Sequence, residues 1–198
     1  MTQRIDIMNT LLRSKQSVFT FKEVNLLAGG EISPALLRRR VSYYVQKGQL
    51  YPLRRGIYAK DKKYDKLELA NRIYTPSYIS FETVLSRAGV TFQSYGQIFI
   101  ASYLTRELNI DDQIYSYKKI KDEVLTRTQL PTGIEHKGTY SIATPERAFL
   151  DVVYLSKDYH FDNLSALNWE KVLEVLPIFG NVEMEKRVKA YYEQFKNS

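Results

Sequence analysis

The chain has 198 residues, 44% hydrophobic and 26% charged, an ordinary globular composition with room for one sizeable core or two small ones. It contains no cysteine, which excludes disulfides, thiolate metal sites and thiol nucleophiles together and favours a reducing compartment. The net charge of +7 is segregated: residues 1–63 hold 13 Lys and Arg against 4 Asp and Glu, while residues 64–198 hold 16 against 18. Such asymmetry predicts an anion-binding domain over 1–63 joined to a second domain over 64–198.

The first helix is predicted from Thr2 to about Ser14, with Ile5, Met8, Leu11 and Leu12 at helical spacing. A second begins at Thr20, where Glu23 completes a capping box, and ends at Gly29-Gly30. The third carries Ser33 as N-cap, Pro34 at its first position and Gly48 just past its end. Gln49 to Leu53 and Gly56 to Lys60 then read as two short strands around Arg54-Arg55, with Pro52 restricting the first to an edge. Three helices and a basic hairpin are the order of a winged helix-turn-helix.

On the third helix Leu37, Val41, Tyr44 and Val45 cluster in one arc at 100° per residue and must face the other two helices. Ala35, Arg39, Ser42, Tyr43 and Gln46 lie opposite, and Arg38 and Arg40 fall on the two borders. This pattern suits a helix in a DNA major groove. The outward Arg39 can reach guanine O6 and N7, with Arg38 and Arg40 on phosphates at either side. Arg54 and Arg55, with Lys60, Lys62 and Lys63, extend the expected footprint from the wing. A solvated charged face is the plainer alternative; it does not require cap, groove face and basic turn to align.

Beyond a polar junction at residues 61–66, Leu67 to Tyr74 and Ser80 to Arg87 are predicted helical. Strands are predicted at Gln97 to Ser102, Ile114 to Tyr117 and Tyr140 to Ala143, with Asp111-Asp112 as a turn. Helices return at Pro145 to Leu155, Asn168 to Leu176 and Val182 to Phe195, and Thr144 before Pro145 repeats the cap-plus-proline signature. The expected fold class is α+β: an N-terminal winged helix-turn-helix followed by a mixed α/β domain with a small sheet. Twelve of the sixteen tyrosines fall in this second part, where there is no net positive charge to accompany base stacking, so they read as packing residues.

Catalytic constellations are sparse. No G-x-x-x-x-G-K, G-x-G-x-x-G or G-x-S-x-G motif occurs, and the two histidines, His136 and His160, have no cysteine company and read as surface loop residues. Glu135-His136-Lys137 with Asp111 and Asp112 imitates the acidic pair plus lysine of a Mg²⁺-dependent nuclease. Flanked by Gly133 and Gly138, however, that segment reads as a turn, whereas the chemistry needs a strand.

Leu37 to Tyr58, with K-G-x-L and R-R-G-I-Y-A, resembles the winged-helix start of the AbiEi family, antitoxins and autorepressors of bacterial type IV toxin–antitoxin (phage abortive infection) systems. The likeness continues in PSYISFETVLSRAGV, IFIASYLTRELNI, IYSYKKIKDEVL and YSIATPERAFLDVVYL, in the family's order over most of residues 20–155. The resemblance implies a repressor of its own operon that binds double-stranded operator DNA. It also implies a functional partner, a nucleotidyltransferase toxin of the AbiEii family, opposed by the second domain without a stable complex being required. DNA contact is carried over onto Arg38, Arg39, Arg40, Ser42, Tyr43, Arg54 and Arg55. No catalytic residue, cofactor or metal carries over. Thr144, Pro145, Glu146, Arg147 and Asp151 match the second-domain motif, which a capped helix with a purely structural role would equally produce.

The expectation is thus a non-enzymatic, cytoplasmic DNA-binding regulator and antitoxin; no signal peptide or apolar membrane span is read in the sequence. The alternatives are the nuclease with a winged-helix targeting domain, and a plain regulator whose second domain senses a ligand or dimerises.

Overall fold

The computed structural model describes residues 6–29, 32–93, 95–128 and 131–197. The chain divides into two compact units, Met1–Ile73 and Tyr74–Ser198. The first comprises α1 (Ile7–Arg13), β1 (Val18–Thr20), α2 (Phe21–Leu27), α3 (Pro34–Gln46), β2 (Tyr51–Arg54), β3 (Ile57–Ala59) and α4 (Lys66–Ile73). Its three strands form an antiparallel sheet in the order β1-β3-β2, so the wing is a hairpin completed by a strand from between the first two helices. This is a winged helix-turn-helix.

Local chemistry sets the helix starts. Asp6 accepts from the Asn9 N–H and caps α1; the part of the predicted helix from Thr2 to Ile5 lies outside the described residues. Thr20 and Glu23 form the reciprocal capping box at the start of α2, while Gly30 also lies outside the described residues. Ser33 caps α3 through the Leu36 N–H, and Pro34 occupies its first turn. Ile7, Leu11, Phe19, Val24, Leu37, Val41 and Leu50 bury themselves in one core, each contributing about 1.5–3 kcal/mol of transfer free energy.

The compact unit runs on past the Lys63/Tyr64 boundary read from the sequence, because α4 is fastened to it. Buried Glu68 accepts from both the backbone N–H (2.8 Å) and hydroxyl (2.7 Å) of Ser17, and Arg72 pairs with Glu23. The charge segregation survives the shift: residues 1–73 hold 15 Lys and Arg against 6 acids, residues 74–198 hold 14 against 16.

The second unit is built on a mixed six-stranded sheet, β6-β7-β5-β4-β9-β8. Its strands are β4 (Ser77–Ile79), β5 (Gln97–Ser102), β6 (Arg106–Ile110), β7 (Gln113–Lys119), β8 (Ile134–Lys137) and β9 (Tyr140–Ala143). Its helices are α5 (Glu82–Leu85), α6 (Asp122–Leu125), α7 (Pro145–Leu155), α8 (Trp169–Val175) and α9 (Val182–Lys196). β4 and β9 pair in parallel, as do β5 and β7; the other pairs are antiparallel. Asp111 and Asp112, at φ 49° and 59°, make the β6–β7 turn, the conformation a tight hairpin requires.

The central α7 is buried from Glu146 through Val153, so its charged side chains need internal partners. Arg147 donates Nε to Asp151 (3.0 Å), Nη1 to the Thr132 carbonyl (2.9 Å), and Nη2 to the Tyr78 hydroxyl (2.7 Å) and Val124 carbonyl (3.2 Å). Asp151 accepts further bonds from Tyr78 (3.1 Å) and Ser80 (2.7 Å). Burial pushes the Asp151 carboxyl above its ordinary range, against the opposing pull of Arg147 and these donors. Gly133 leaves room for this arginine: a Cβ there would stand 2.7 Å from Arg147 Cβ, and its φ of +66° disfavours any other residue.

Removing one partner should be worse than removing both. Asp151→Asn is expected to cost about 3–5 kcal/mol in urea denaturation by leaving a buried guanidinium uncompensated, whereas Arg147→Met with Asp151→Leu should recover part of that loss, the Tyr78 and Ser80 hydroxyls and the Thr132 and Val124 carbonyls then lacking these partners. Equal loss in the single and double variants would show that charge pairing is not what the network supplies.

Candidate nucleic-acid interface

The side of α3 that faces the core is fixed by Leu37 and Val41, both buried, with Tyr44 and Val45 partly buried beside them. The opposite side is therefore free: Ala35, Arg39, Ser42, Tyr43 and Gln46 are all exposed. Arg38 is exposed and lies 5.5 Å from the Phe21 ring centroid, which gives it a cation–π rest beside α2. Arg40 is partly buried on the other border. Tyr43, 53% exposed, meets Tyr44 edge-on and has Lys47 above its ring at 5.8 Å. The structure thus brings Arg38, Arg39, Arg40, Ser42 and Tyr43 onto one helix as the periodicity predicts.

The wing holds the remaining pair. Arg54, at the end of β2, and Arg55, in the turn, are both exposed. Gly56 turns the chain at φ +78°, and its carbonyl accepts the Phe21 N–H at 2.8 Å, tying the wing to the start of α2. Lys62 and Lys63 are exposed, Lys62 with its ammonium 5.7 Å from the Tyr51 ring centroid. Lys60 departs from the expected footprint. It donates to the carbonyls of Leu12 (3.1 Å) and Ser14, closing the C-terminal end of α1, where unsatisfied carbonyls attract a cation.

The alternative nuclease constellation does not assemble. Glu135 to Lys137 is not a turn but strand β8, paired along β9, with the glycines marking its ends. Yet β8 is one edge of the sheet, and Asp111 and Asp112 sit in the turn that joins β6 to β7 at the other. At least four strand spacings, about 19 Å, separate them. Lys137 instead pairs with Glu135 at 3.5 Å, both more than half exposed. His136 lies on β8 rather than in a loop; His160 is exposed, 3.8 Å from Asp162. Among the described residues no group of three His, Asp or Glu side chains is placed to hold a metal, and no helix is long and apolar enough to cross a membrane.

The second-domain motif also resolves. Thr144 caps α7 through the Arg147 N–H, Glu146 accepts the Asn168 N–H at 3.2 Å, and Arg147 and Asp151 form the buried network. Each has a structural duty. The tyrosines behave as packing residues: Tyr78, Tyr115 and Tyr117 are buried, and Tyr191 joins Phe149 and Phe161 in an aromatic cluster.

Residues 6–59 match the family model described as transcriptional regulator, AbiEi antitoxin. This segment is similar to the regulators of that family. Its match covers the helix-turn-helix and wing, ending at the last residue of β3. No curated protein matches the chain. A solved structure, the RV2827C protein from Mycobacterium tuberculosis, is similar at 16% identity with a TM-score of 0.43. That similarity covers 75% of this chain and 59% of that one.

Within residues 6–59 the wing turn depends on a glycine in the left-handed region. Gly56→Ala is expected to destabilise the protein by about 1–2 kcal/mol, because a side chain is forced into the left-handed region. Thermal or urea unfolding measures it, and an unchanged midpoint would show that the turn relaxes freely.

Proposed function

We propose that the chain is a DNA-binding transcriptional autorepressor and the antitoxin of a type IV toxin–antitoxin system whose toxin is a nucleotidyltransferase. The observation that carries this reading is the free face of α3, with Arg39, Ser42 and Tyr43 outward and Arg38 and Arg40 on its borders, in a segment that matches the AbiEi family model. In this reading α3 enters the major groove of operator DNA. Arg39 contacts guanine, Arg38 and Arg40 contact phosphates, and Arg54 and Arg55 follow the backbone from the wing. The excess positive charge of residues 1–73 supplies the salt-dependent part of the affinity through counterion release. Toxin neutralisation belongs to the second unit, which carries a slight negative charge and none of the groove face.

Fluorescence anisotropy with labelled duplex DNA tests the first half. Binding by the full chain should weaken steeply with salt, and Arg55→Ala should reduce the magnitude of the log–log slope by about one unit. Arg39→Ala should cost on the order of 1–3 kcal/mol on the preferred duplex and relax base preference there. Salt-independent binding, or uniform losses over all sequences for Arg39→Ala, would contradict the assigned roles.

The second half is tested in cells. Expressed from an independent promoter at matched level, Arg39→Ala should lose repression yet still protect against the toxin encoded beside it. Loss of protection by the stably expressed variant would end the division of labour between the units. A plain regulator would confer no protection even as wild type.

A further inference from the structure

The first turn of α3 has a property that its charge does not explain. Ser33, Pro34, Ala35 and Leu36 are all exposed, and Leu37 is the first buried residue of the helix. No acidic side chain occupies that turn. Leu36, 44% exposed, places an aliphatic group on a face otherwise rich in charge. Leu36, Arg39, Arg40 and Tyr43 recur at i, i+3, i+4 and i+7, so they form one continuous stripe. Among the described residues Arg39 has no ion-pair or hydrogen-bond partner.

The N-terminal residues of a helix in this position are the ones that meet base edges. The apolar group that those edges offer in the major groove is the thymine C5-methyl. Three residues of helix rise about 4.5 Å, close to the roughly 3.4 Å step between base pairs. Resting on the DNA-binding reading above, we propose that Leu36 packs on the methyl group of a thymine in the base pair next to the guanine bound by Arg39. The preferred half-site then contains a thymine–guanine neighbour pair read by one apolar and one bidentate contact.

Duplexes selected from a random library by the full-length protein supply the test. The selected duplex is remade with deoxyuridine at each thymine in turn, a change that removes only the methyl group. One thymine beside a G·C pair should lose affinity roughly fourfold on replacement, the effect of uncovering one methyl. Leu36→Ala should bind the thymine duplex more weakly and no longer distinguish it from the uridine duplex. Arg39→Ala should relax preference at the G·C pair while keeping the thymine–uridine difference. Indifference to uridine at every position, or a difference that survives Leu36→Ala, overturns the inference and leaves the DNA-binding reading standing. So does an altered oligomeric state of Leu36→Ala in sedimentation with equal losses on both duplexes, which assigns Leu36 to a protein contact. Absence of duplex binding at any salt overturns both.

Discussion

A guanidinium sealed from water must find all its partners within the protein, and Arg147 imposes that requirement on the second unit. Its fixed fork reaches α7 itself, the Tyr78 hydroxyl on β4, the Val124 carbonyl in α6 and the Thr132 carbonyl ahead of β8. Four separate segments must arrive in register before the charge is satisfied, so a partly formed arrangement is heavily penalised. This explains why the start of α7 contains so much charge and yet directs Arg147 and Asp151 away from solvent. Arg147 and Asp151 are inaccessible; their chemistry is directed inward.

The first unit sorts its charges in the same way. Glu68 and Arg72 of α4 look inward to Ser17 and Glu23, and Lys60 closes α1. Arg38, Arg39 and Arg55 look outward. Formal charge does not distinguish these groups. Burial and partner geometry do, and the outward set gives the first unit a positive surface field.

Much of this was legible in the residues. Ser33-Pro34 and Thr144-Pro145 located α3 and α7, because a capping hydroxyl and a proline are useful together only at a helix start. The two faces of α3 followed from period alone. The missed strands share causes. β1 and β4 have three residues each, too few for alternation to register. β6, Arg-Glu-Leu-Asn-Ile, is made largely of good helix formers, and its pairing with β7 decides its conformation. β8 is a charged edge strand between glycines, which locally resembles a turn. The role of Arg147 was beyond sequence reasoning because its partners lie 15 to 69 residues away, apart from Asp151. The separation of Asp111 and Asp112 from Glu135 likewise depends on strand order, which no local pattern encodes.

The bond from the Phe21 amide to the Gly56 carbonyl has a further consequence. It joins the start of one helix to the tip of a hairpin 35 residues later, so the basic turn moves with the helical framework instead of swinging independently. The spacing between the α3 face and the wing arginines is then settled when the protein folds. A partner encountered later need not immobilise the loop, and less ordering entropy is lost on association. In the DNA-binding reading proposed above, the same rigidity narrows tolerance: a rigid ruler accepts one groove width and penalises others. Sequence-dependent groove geometry can therefore contribute to discrimination at base pairs the side chains never touch.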